Sequence, residues 1–380
     1  MLELARILAG PWVGQTFSDL GADVIKVESP SGDDTRKWGP PFVTNDDGTA
    51  GDAAYFHSCN RGKRSIVVDF TTEEGRDTVR RLAAQADVLI ENFKTGGLVK
   101  YGLDYASLKA INPGLVYCSI TGFGQTGPYA QKPGYDFIIQ GMGGIMDLTG
   151  EADGAPQKPG VAYADIFTGL YSVIAVQAAL FQRQQTGEGQ WIDMSLLDSQ
   201  TGVLANQAMN YLVSGQVPSR MGNAHPNLVP YQVFATSDGH LIIAIGNAGQ
   251  YERLCRFLDL EPLIDDPRFK TNADRIRNRD EMIAMISEKT RHYTRDDLQA
   301  HLEELLIPTG PINTVGDVFN DPQIQHRGLE VELDAPGLAG GKLKNVRTPI
   351  QFSNAELALH HAAPKLGEHT DGILAELDGE

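Results

Sequence analysis

The chain has 380 residues, of which 41% are hydrophobic and 21% are charged, and its formal net charge is −17. This length allows about two domains with buried cores, and the acidic balance argues against nucleic acid or an anionic membrane as the main partner. No apolar run approaches the roughly 20 residues of a membrane span, and the scattered cysteines Cys59, Cys118 and Cys255 indicate reduced thiols, so we expect a cytoplasmic protein without a membrane segment.

The first half of the chain alternates predicted strands with predicted helices. Strands are predicted over residues 1–8, 24–27, 65–70, 88–90, 115–120 and 191–195. Helices are predicted over residues 11–21, 71–84, 105–111, 166–182 and 196–213, the second opened by the capping-box pattern Thr71-Thr-Glu-Glu74. This alternation implies a parallel sheet with right-handed crossovers. The predicted fold class is α/β, with a large Rossmann-like domain made of residues 1–212 and 340–380.

The second half of the chain differs from the first in composition and in the pattern of predicted elements. Residues 213–227 are rich in Gly, Ser, Pro and Asn, which predicts a linker. Ser237-Asp238-Gly239-His240 lies between two strand-like segments and predicts a hairpin. Helical patterns follow at 251–258, 273–292 and 294–306, then strand-like segments at 329–333 and 343–346 and a terminal helix from Thr370. We therefore predict a smaller α+β domain over residues 228–339.

A single carboxylate, Asp165, begins the long apolar segment 166–182. The free N–H groups and the dipole of a helix N-terminus favour an anion at such a place. The structural interpretation is that Asp165 is an N-cap, which is a common role of Asp. The functional interpretation is that the helix presents a reactive carboxylate. The local pattern leaves both interpretations open.

Several stretches resemble well-known binding motifs, but the neighbouring sequence does not support those assignments. Gly122-Phe-Gly124-Gln-Thr-Gly127 follows a strand, but Pro128 and Pro133 interrupt the chain where a dinucleotide site needs a helix. Gly62-Lys63 lacks the first glycine of a P-loop. The nine histidines are dispersed, and we predict no metal site.

Basic residues are more suggestive of a ligand. They form three clusters in the first domain, each expected after a strand: Arg36-Lys37, Arg61-Gly-Lys63-Arg64, and Lys94 with Lys100. Loops after parallel strands gather at one edge of the sheet, where ligands bind. The clusters could hold a phosphorylated ligand through charge-assisted hydrogen bonds, or they could be solvated surface charges.

Taken together, the motifs resemble the class III CoA-transferases, which include formyl-CoA and carnitine CoA-transferases and α-methylacyl-CoA racemase. The matching stretches run in family order over nearly the whole chain: Leu8-Ala-Gly-Pro-Trp-Val-Gly-Gln15, Leu20-Gly-Ala-Asp-Val-Ile-Lys-Val-Glu28, Gly32-Asp-Asp-Thr-Arg36, Asn60-Arg-Gly-Lys-Arg-Ser65, Glu91-Asn-Phe93, Thr121-Gly-Phe-Gly-Gln-Thr-Gly-Pro128, Pro133-Gly-Tyr-Asp136, Tyr163-Ala-Asp165, Gly187-Glu-Gly-Gln190 and Gly222-Asn-Ala-His-Pro226.

The resemblance implies roles for particular residues. Asp165 would be the carboxylate that becomes acylated. The CoA site would be lined by Gln15, Arg36, Asn92, Phe93, Lys94, Lys100 and Tyr135, with Lys100 standing where relatives often have Arg. The family's glycine loop would correspond to Gly246-Asn247-Ala-Gly249-Gln250, which is less glycine-rich here. The implied assembly is a homodimer of two intertwined, interlocked chains.

The resemblance also implies the chemistry. Asp165, with an ordinary pKa of about 3.9, would be a carboxylate at neutral pH and would attack an acyl-CoA thioester without a dedicated base. An aspartyl-CoA thioester would then react with an acceptor carboxylate, so acyl-CoA is a substrate and no cofactor is permanently bound. Three stretches, 229–234, 244–247 and 308–313, look most like the succinyl-CoA:dicarboxylate (glutarate-type) branch.

Three alternatives remain open at this point. A racemase could use the same fold, but the racemase branch has Gly-His-Asp where this chain has Gly134-Tyr135-Asp136. The others are a non-catalytic acyl-CoA-binding homologue and a nucleotide-dependent oxidoreductase.

Overall fold

The structure is a computed structural model that describes residues 1–379. Over these residues it contains thirteen strands: β1 (Leu2–Glu3), β2 (Ile25–Glu28), β3 (Phe42–Thr44), β4 (Ala50–Ala53), β5 (Arg64–Val67), β6 (Val88–Glu91), β7 (Val116–Thr121), β8 (Trp191–Ser195), β9 (Tyr231–Ala235), β10 (His240–Ala244), β11 (Thr309–Pro311), β12 (Glu330–Asp334) and β13 (Lys342–Val346).

The same described part of the chain contains seventeen α-helices: α1 (Ala9–Asp19), α2 (Ala54–His57), α3 (Glu73–Gln85), α4 (Tyr105–Lys109), α5 (Asp136–Met142), α6 (Ile145–Leu148), α7 (Tyr163–Thr186), α8 (Leu196–Gly202), α9 (Ala205–Ser214), α10 (Ala248–Phe257), α11 (Pro262–Asp265), α12 (Asn272–Arg277), α13 (Arg279–Thr290), α14 (Arg295–Glu304), α15 (Val315–Asn320), α16 (Pro322–His326) and α17 (Thr370–Asp378). Short 3₁₀ turns lie at Asp34–Lys37 and Val99–Tyr101.

The chain forms two compact units. The first contains residues 1–146, 158–216 and the chain from 322 onward, and the second contains residues 147–157 and 217–321. Residues 322–339, which the sequence prediction grouped with the small domain, lie in the first unit. Between the end of α9 and the start of β9, which includes most of the predicted linker, the chain forms neither helix nor strand.

A six-stranded parallel sheet organises the first unit, which confirms the predicted α/β class. Its strands lie in the order β5-β2-β1-β6-β7-β8, with every neighbouring pair parallel. In chain order among these six strands, this is the 3-2-1-4-5-6 order of Rossmann-like folds. The chain builds outward from β1 on one side and then returns to start β6 on the other. The switch in direction therefore lies between β1 and β6.

Alternate residues of the strands supply two cores, one on each face of the sheet. Val116, Cys118 and Ile120 of β7 face a core that includes residues of α1, α5 and α7. Tyr117, which points the other way, joins a core that includes residues of α3 and α17. Both faces are covered, as a parallel sheet requires.

The second unit is an α+β structure. Strands β9, β10 and β11 form an antiparallel sheet in the order β11-β10-β9, and the predicted hairpin joins the first two. Its core includes Phe234, Leu254, Met282 and Leu298, from one strand and three helices. The predicted helix 273–292 is divided at Asn278 into α12 and α13.

Helix α7 corrects one expectation about membranes. Within the described residues it is the one helix that is long and apolar enough to cross a bilayer by length and composition, with 24 residues and a mean hydropathy of 1.5 over its best 18-residue window. The expectation that no segment approaches this length was wrong. Residues along α7, including Val173, Val176 and Ala179, are nevertheless buried in the core of the first unit. Core helices meet the same two criteria, so a single helix of this kind is only weak evidence of a membrane span.

Candidate active site

A cavity of about 210 Å³ lies at the carboxyl ends of the parallel strands. It is lined by residues 6–9 after β1, residues 92–95 after β6, Gly122 after β7, Leu196 after β8, and residues 130 and 132–135, together with Asp165. The ends of β1 and β6 are where the sheet changes direction. Ligands of open α/β sheets bind at this kind of place. The sheet topology alone therefore indicates that this cavity is a ligand-binding site.

Asp165 is the third residue of α7 and is only 9% exposed. The helix begins three residues earlier than the sequence prediction, and its N-cap is Ala162, whose side chain accepts no hydrogen bond. The N-cap interpretation of Asp165 is therefore wrong. Its carboxylate lies in the first helical turn and lines the cavity instead.

Asp136 caps α7 from a distance in the sequence. Its Oδ1 atom accepts hydrogen bonds from the backbone N–H groups of Ala164 at 2.8 Å and Asp165 at 3.4 Å. A carboxylate at this place satisfies N–H groups that a helix leaves unpaired and complements the helix dipole. The two carboxylates of Asp136 and Asp165 are thus held at the same helix terminus.

Burial, together with the negative charge of Asp136, raises the pKa of Asp165 to about 7. Both effects disfavour the ionised carboxylate, the first by removing water and the second by like-charge repulsion. The ordinary pKa of an aspartate, which the sequence led us to expect, therefore does not apply to Asp165. Its carboxyl group keeps its proton to a higher pH than an exposed aspartate does.

Four of the predicted CoA-site residues line the same cavity as Asp165: Asn92, Phe93, Lys94 and Tyr135. The Asn92 side chain is bonded to both backbone groups of Arg6, donating to its carbonyl at 2.6 Å and accepting from its N–H at 2.9 Å. This pair ties the loop after β1 to the loop after β6. Lys94 is exposed, and Tyr135 is 60% exposed.

Glu91 supports this loop from below. It is buried, and one of its carboxylate oxygens accepts a hydrogen bond from the Phe93 N–H at 2.8 Å. Burial raises the pKa of Glu91 to about 7. The Glu91-Asn-Phe93 motif thus fixes the turn that carries Lys94.

The other three predicted CoA-site residues do not line the cavity. Gln15 is buried in α1, where its amide bonds the Ser58 carbonyl at 3.0 Å and the Arg61 N–H at 3.1 Å. Arg36 is buried and pairs with Glu28 and Asp52. Lys100 lies over the ring of Tyr101, 4.6 Å from its centroid.

The second basic cluster is also structural. Arg61 forms a buried ion pair with Asp19, and Lys63 pairs with Glu3 at 2.9 Å with both side chains fully buried. These two residues precede β5, which begins at Arg64, so they do not lie after a strand as predicted. Unpaired buried charges are costly, which explains why each of these cations has an acidic partner.

Sequence reasoning missed two cations that do line the cavity, Arg6 and Lys132. Arg6 follows β1 directly, and this place at the switch of the sheet was the signal that could have found it. Its guanidinium pairs with the exposed Asp34 at 3.1 Å. Lys132 lies over the ring of Tyr129, 3.9 Å from the centroid, just before the Pro133-Gly-Tyr-Asp136 motif.

The wall of the cavity includes a strained residue, Ile7, whose φ is +75°. Left-handed backbone is rare for a β-branched residue and occurs where the surroundings enforce it. Here the Asp33 carboxylate accepts the Ile7 N–H at 3.2 Å and is itself paired with the fully buried Lys26 at 3.0 Å. This buried pair holds the turn between β1 and α1.

The glycine-rich stretch 122–127 has a packing explanation. It follows β7, the fifth strand of the sheet in chain order, rather than the first strand, and no helix opens at its end. A Cβ atom on Gly122 would lie 2.6 Å from the Cα atom of Gly134. The two backbones therefore touch where the chain folds back beside the cavity.

The predicted substrate loop lies in the second unit. The Asn247 side chain caps α10 by accepting the Gln250 N–H at 3.0 Å, and the Gly246 N–H donates to the Gln250 side chain at 2.8 Å. Gly249 is in the first turn of α10. Across residues 1–379, no group of three or more His, Cys, Asp or Glu side chains is arranged to hold a metal ion.

Comparison with known proteins identifies the family. Residues 1–370 match the family model described as "CoA-transferase family III". The chain is 57% identical to a succinate–glutarate CoA-transferase of Agrobacterium fabrum, covering 100% of this chain and 94% of the relative. It is 42% identical to the human succinyl-CoA:glutarate CoA-transferase, with 99% and 84% covered. A crystal structure of a CAIB/BAIF family protein from Brucella suis is similar, with 64% identity, a TM-score of 0.87, and 99% and 97% of the two chains covered. The chain belongs to CoA-transferase family III.

Proposed function

We propose that this CoA-transferase moves CoA from succinyl-CoA to a dicarboxylate such as glutarate, with Asp165 as the covalent nucleophile. The observation that carries the proposal is the position of Asp165, which lines the cavity at the switch of the sheet. The relatives named above as transferases of succinate and glutarate support the choice of substrates.

The reaction needs only a carboxylate and a thiolate as nucleophiles. Ionised Asp165 attacks the thioester carbonyl of succinyl-CoA, the C–S bond breaks, and a mixed anhydride and CoA thiolate result. The thiolate then attacks the aspartyl carbonyl of the anhydride and releases succinate, which leaves an aspartyl-CoA thioester. The acceptor carboxylate repeats these two steps in reverse order, and Asp165 is regenerated. One thioester replaces another, so no outside energy source is required.

The surroundings of Asp165 suit each part of this scheme. Arg6, Lys94 and Lys132 place three cations around the cavity, although the chain as a whole is acidic. Such groups bind phosphates and carboxylates through charge-assisted hydrogen bonds. The raised pKa of Asp165 makes its carboxylate more basic than an ordinary one, and the attacking form is the deprotonated one.

Trapping the covalent enzyme tests the proposal. The protein is incubated with succinyl-CoA, and hydroxylamine then marks any acylated carboxyl group for peptide mass spectrometry. We expect the mark on the peptide that contains Asp165, and CoA transfer to glutarate in the same preparation. Asp165→Asn should lose about 10⁴-fold or more in turnover. A fully active Asp165→Asn protein would rule out this mechanism.

We further propose that the enzyme is a homodimer in the cytoplasm. Helix α7 exposes Leu170, Ile174 and Phe181, and α9 exposes Leu212 and Val213 at 71% and 80%. Apolar surface of this kind is typical of a protein–protein interface, and a second copy is the occupant that the family resemblance implies. The three cysteines are free and buried, which suits a reducing compartment. Light scattering at micromolar concentration should give twice the chain mass, and a monomer would contradict the dimer.

A further inference from the structure

Gln140 lies one helical turn after Asp136 on α5 and is fully buried. Its Nε2 atom donates to the Oδ2 atom of Asp136 at 2.7 Å and to the Val161 carbonyl at 3.3 Å. Both partners are acceptors, so the amide must present its NH₂ group to them. A reversed amide would place oxygen against oxygen at both contacts. The orientation of Gln140 is therefore fixed by its surroundings.

These contacts complete the hydrogen bonding of Asp136. One carboxylate oxygen accepts from Gln140, and the other accepts from the N–H groups of Ala164 and Asp165. Every one of these partners is a donor, and together they engage both oxygens of the Asp136 side chain. The arrangement holds Asp136 as a fixed carboxylate against the first turn of α7. Gln140 also holds Val161, which precedes that turn.

A fixed charge at this place acts differently on the states of Asp165. The free carboxylate of Asp165 is repelled by Asp136, whereas the anhydride and the thioester formed on Asp165 carry no charge at that carbonyl. Acylation thus removes the repulsion between the two side chains. A charge that raises the free energy of the unreacted state, but not of the acylated states, favours the covalent intermediate.

We propose that Gln140 is a positioning residue for CoA transfer: its buried amide fixes the Asp136 carboxylate against the first turn of α7 and so favours the acylated forms of Asp165 over the free carboxylate. This inference rests on the proposed function, because it presumes that Asp165 becomes acylated.

The test compares Gln140→Met with Asp136→Ala and with the double variant. Methionine keeps the length of the side chain and removes both N–H donors. Two quantities are measured with succinyl-CoA: the fraction of intact protein that carries covalent CoA, read by mass spectrometry, and kcat and KM separately. Gln140→Met removes a hydrogen bond to a charged group, and the loss of such a bond corresponds to about a tenfold change in an equilibrium constant. We therefore expect kcat and the ratio of covalent to free enzyme each to fall by about tenfold. KM for succinyl-CoA should change by less than about twofold.

The double variant separates positioning from packing. If Gln140 acts through Asp136, adding Gln140→Met to Asp136→Ala should change neither quantity by more than about twofold. An equal loss in both backgrounds would overturn the inference, as would unchanged kcat and covalent fraction in the single variant. If Gln140→Met does not fold, Gln140→Leu replaces it, since it is apolar, offers no donor and adds no charge. Wild-type protein that never carries covalent CoA would overturn the proposed function and this inference together. If the wild-type protein does carry covalent CoA, the variants test the role of Gln140 alone.

Discussion

Gly169 of α7 packs directly against Ala9 of α1. A Cβ atom added to Gly169 would lie 3.0 Å from the Ala9 carbonyl oxygen and 3.2 Å from the side chain of Trp12. Ala9 lines the cavity, and Gly169 lies one turn after Asp165, so this contact sets how close the nucleophile comes to the loop after β1. The absence of a side chain at Gly169 is what lets the two helices meet.

The first prediction is that Gly169→Ala destabilises the protein by about 1–3 kcal/mol, because the backbone of α1 must move to admit the methyl group. The unfolding midpoint in urea measures it. The matched control is Gly202→Ala at the end of α8, where an added Cβ meets nothing within 4 Å. That change should be neutral or stabilising by up to about 1 kcal/mol. Equal midpoints for the two variants would contradict the packing argument.

The second prediction concerns activity and pH. Asp165 must lose its proton to attack, and its pKa in the folded protein is about 7. We therefore expect kcat/KM for succinyl-CoA to fall by about tenfold per pH unit below pH 7 and to level off above it. In Asp136→Asn the fall should begin at a lower pH, although burial remains as the larger cause. A wild-type profile that is flat from pH 5 to 8 would contradict the assignment.

The third prediction concerns the stability of the folded protein, which should fall as the pH rises through the pKa of Asp165, whereas activity should rise. The folded state raises the pKa of Asp165, so it binds this proton more tightly than the unfolded chain does, and the contribution of Asp165 to stability falls as the pH rises from about 4 to 7. Asp165→Asn should thus stabilise the protein at pH 8, by roughly 4 kcal/mol at most. The gain should disappear near pH 4. A gain that is the same at pH 4 and pH 8 would show that the carboxylate charge is not its cause.

A pair of lysines tests the position of the CoA site. Lys94 lines the Asp165 cavity, whereas Lys100 lies outside it, over Tyr101. Lys94→Ala should raise KM for succinyl-CoA by about tenfold, since it removes a charged donor for a phosphate or carboxylate. Lys100→Ala should raise it by less than about twofold. A larger effect from Lys100 than from Lys94 would contradict the placement of the CoA site at this cavity.

Local signals account for what the sequence predicted correctly. The hairpin at Ser237–His240 depends on neighbouring residues, and it is present. The start of α7 was placed wrongly because its cap, Asp136, lies 29 residues from Asp165 along the chain. Gln15 and Arg36 were assigned from a motif match, which carries no distances. Their side chains form hydrogen bonds and ion pairs with residues that lie close to them only in the folded chain.

The last prediction is that the enzyme does not exchange the α-protons of acyl-CoA substrates at a rate comparable to CoA transfer. Racemisation needs two groups that exchange protons near pH 7, and the position where the racemase branch has His is Tyr135 here. A phenol with an ordinary pKa near 10 stays protonated at that pH. The neighbouring Asp136 is directed towards α7, where its oxygens accept hydrogen bonds from Gln140 and from N–H groups of the helix. Incubation with a 2-methylacyl-CoA in heavy water, followed by NMR, should show transfer of CoA to a free carboxylate with little loss of the α-proton signal. Tyr135→His is the informative companion, since it restores a group that titrates near pH 7. Deuterium entering the wild-type product as fast as CoA is transferred would overturn the assignment as a transferase without racemase activity.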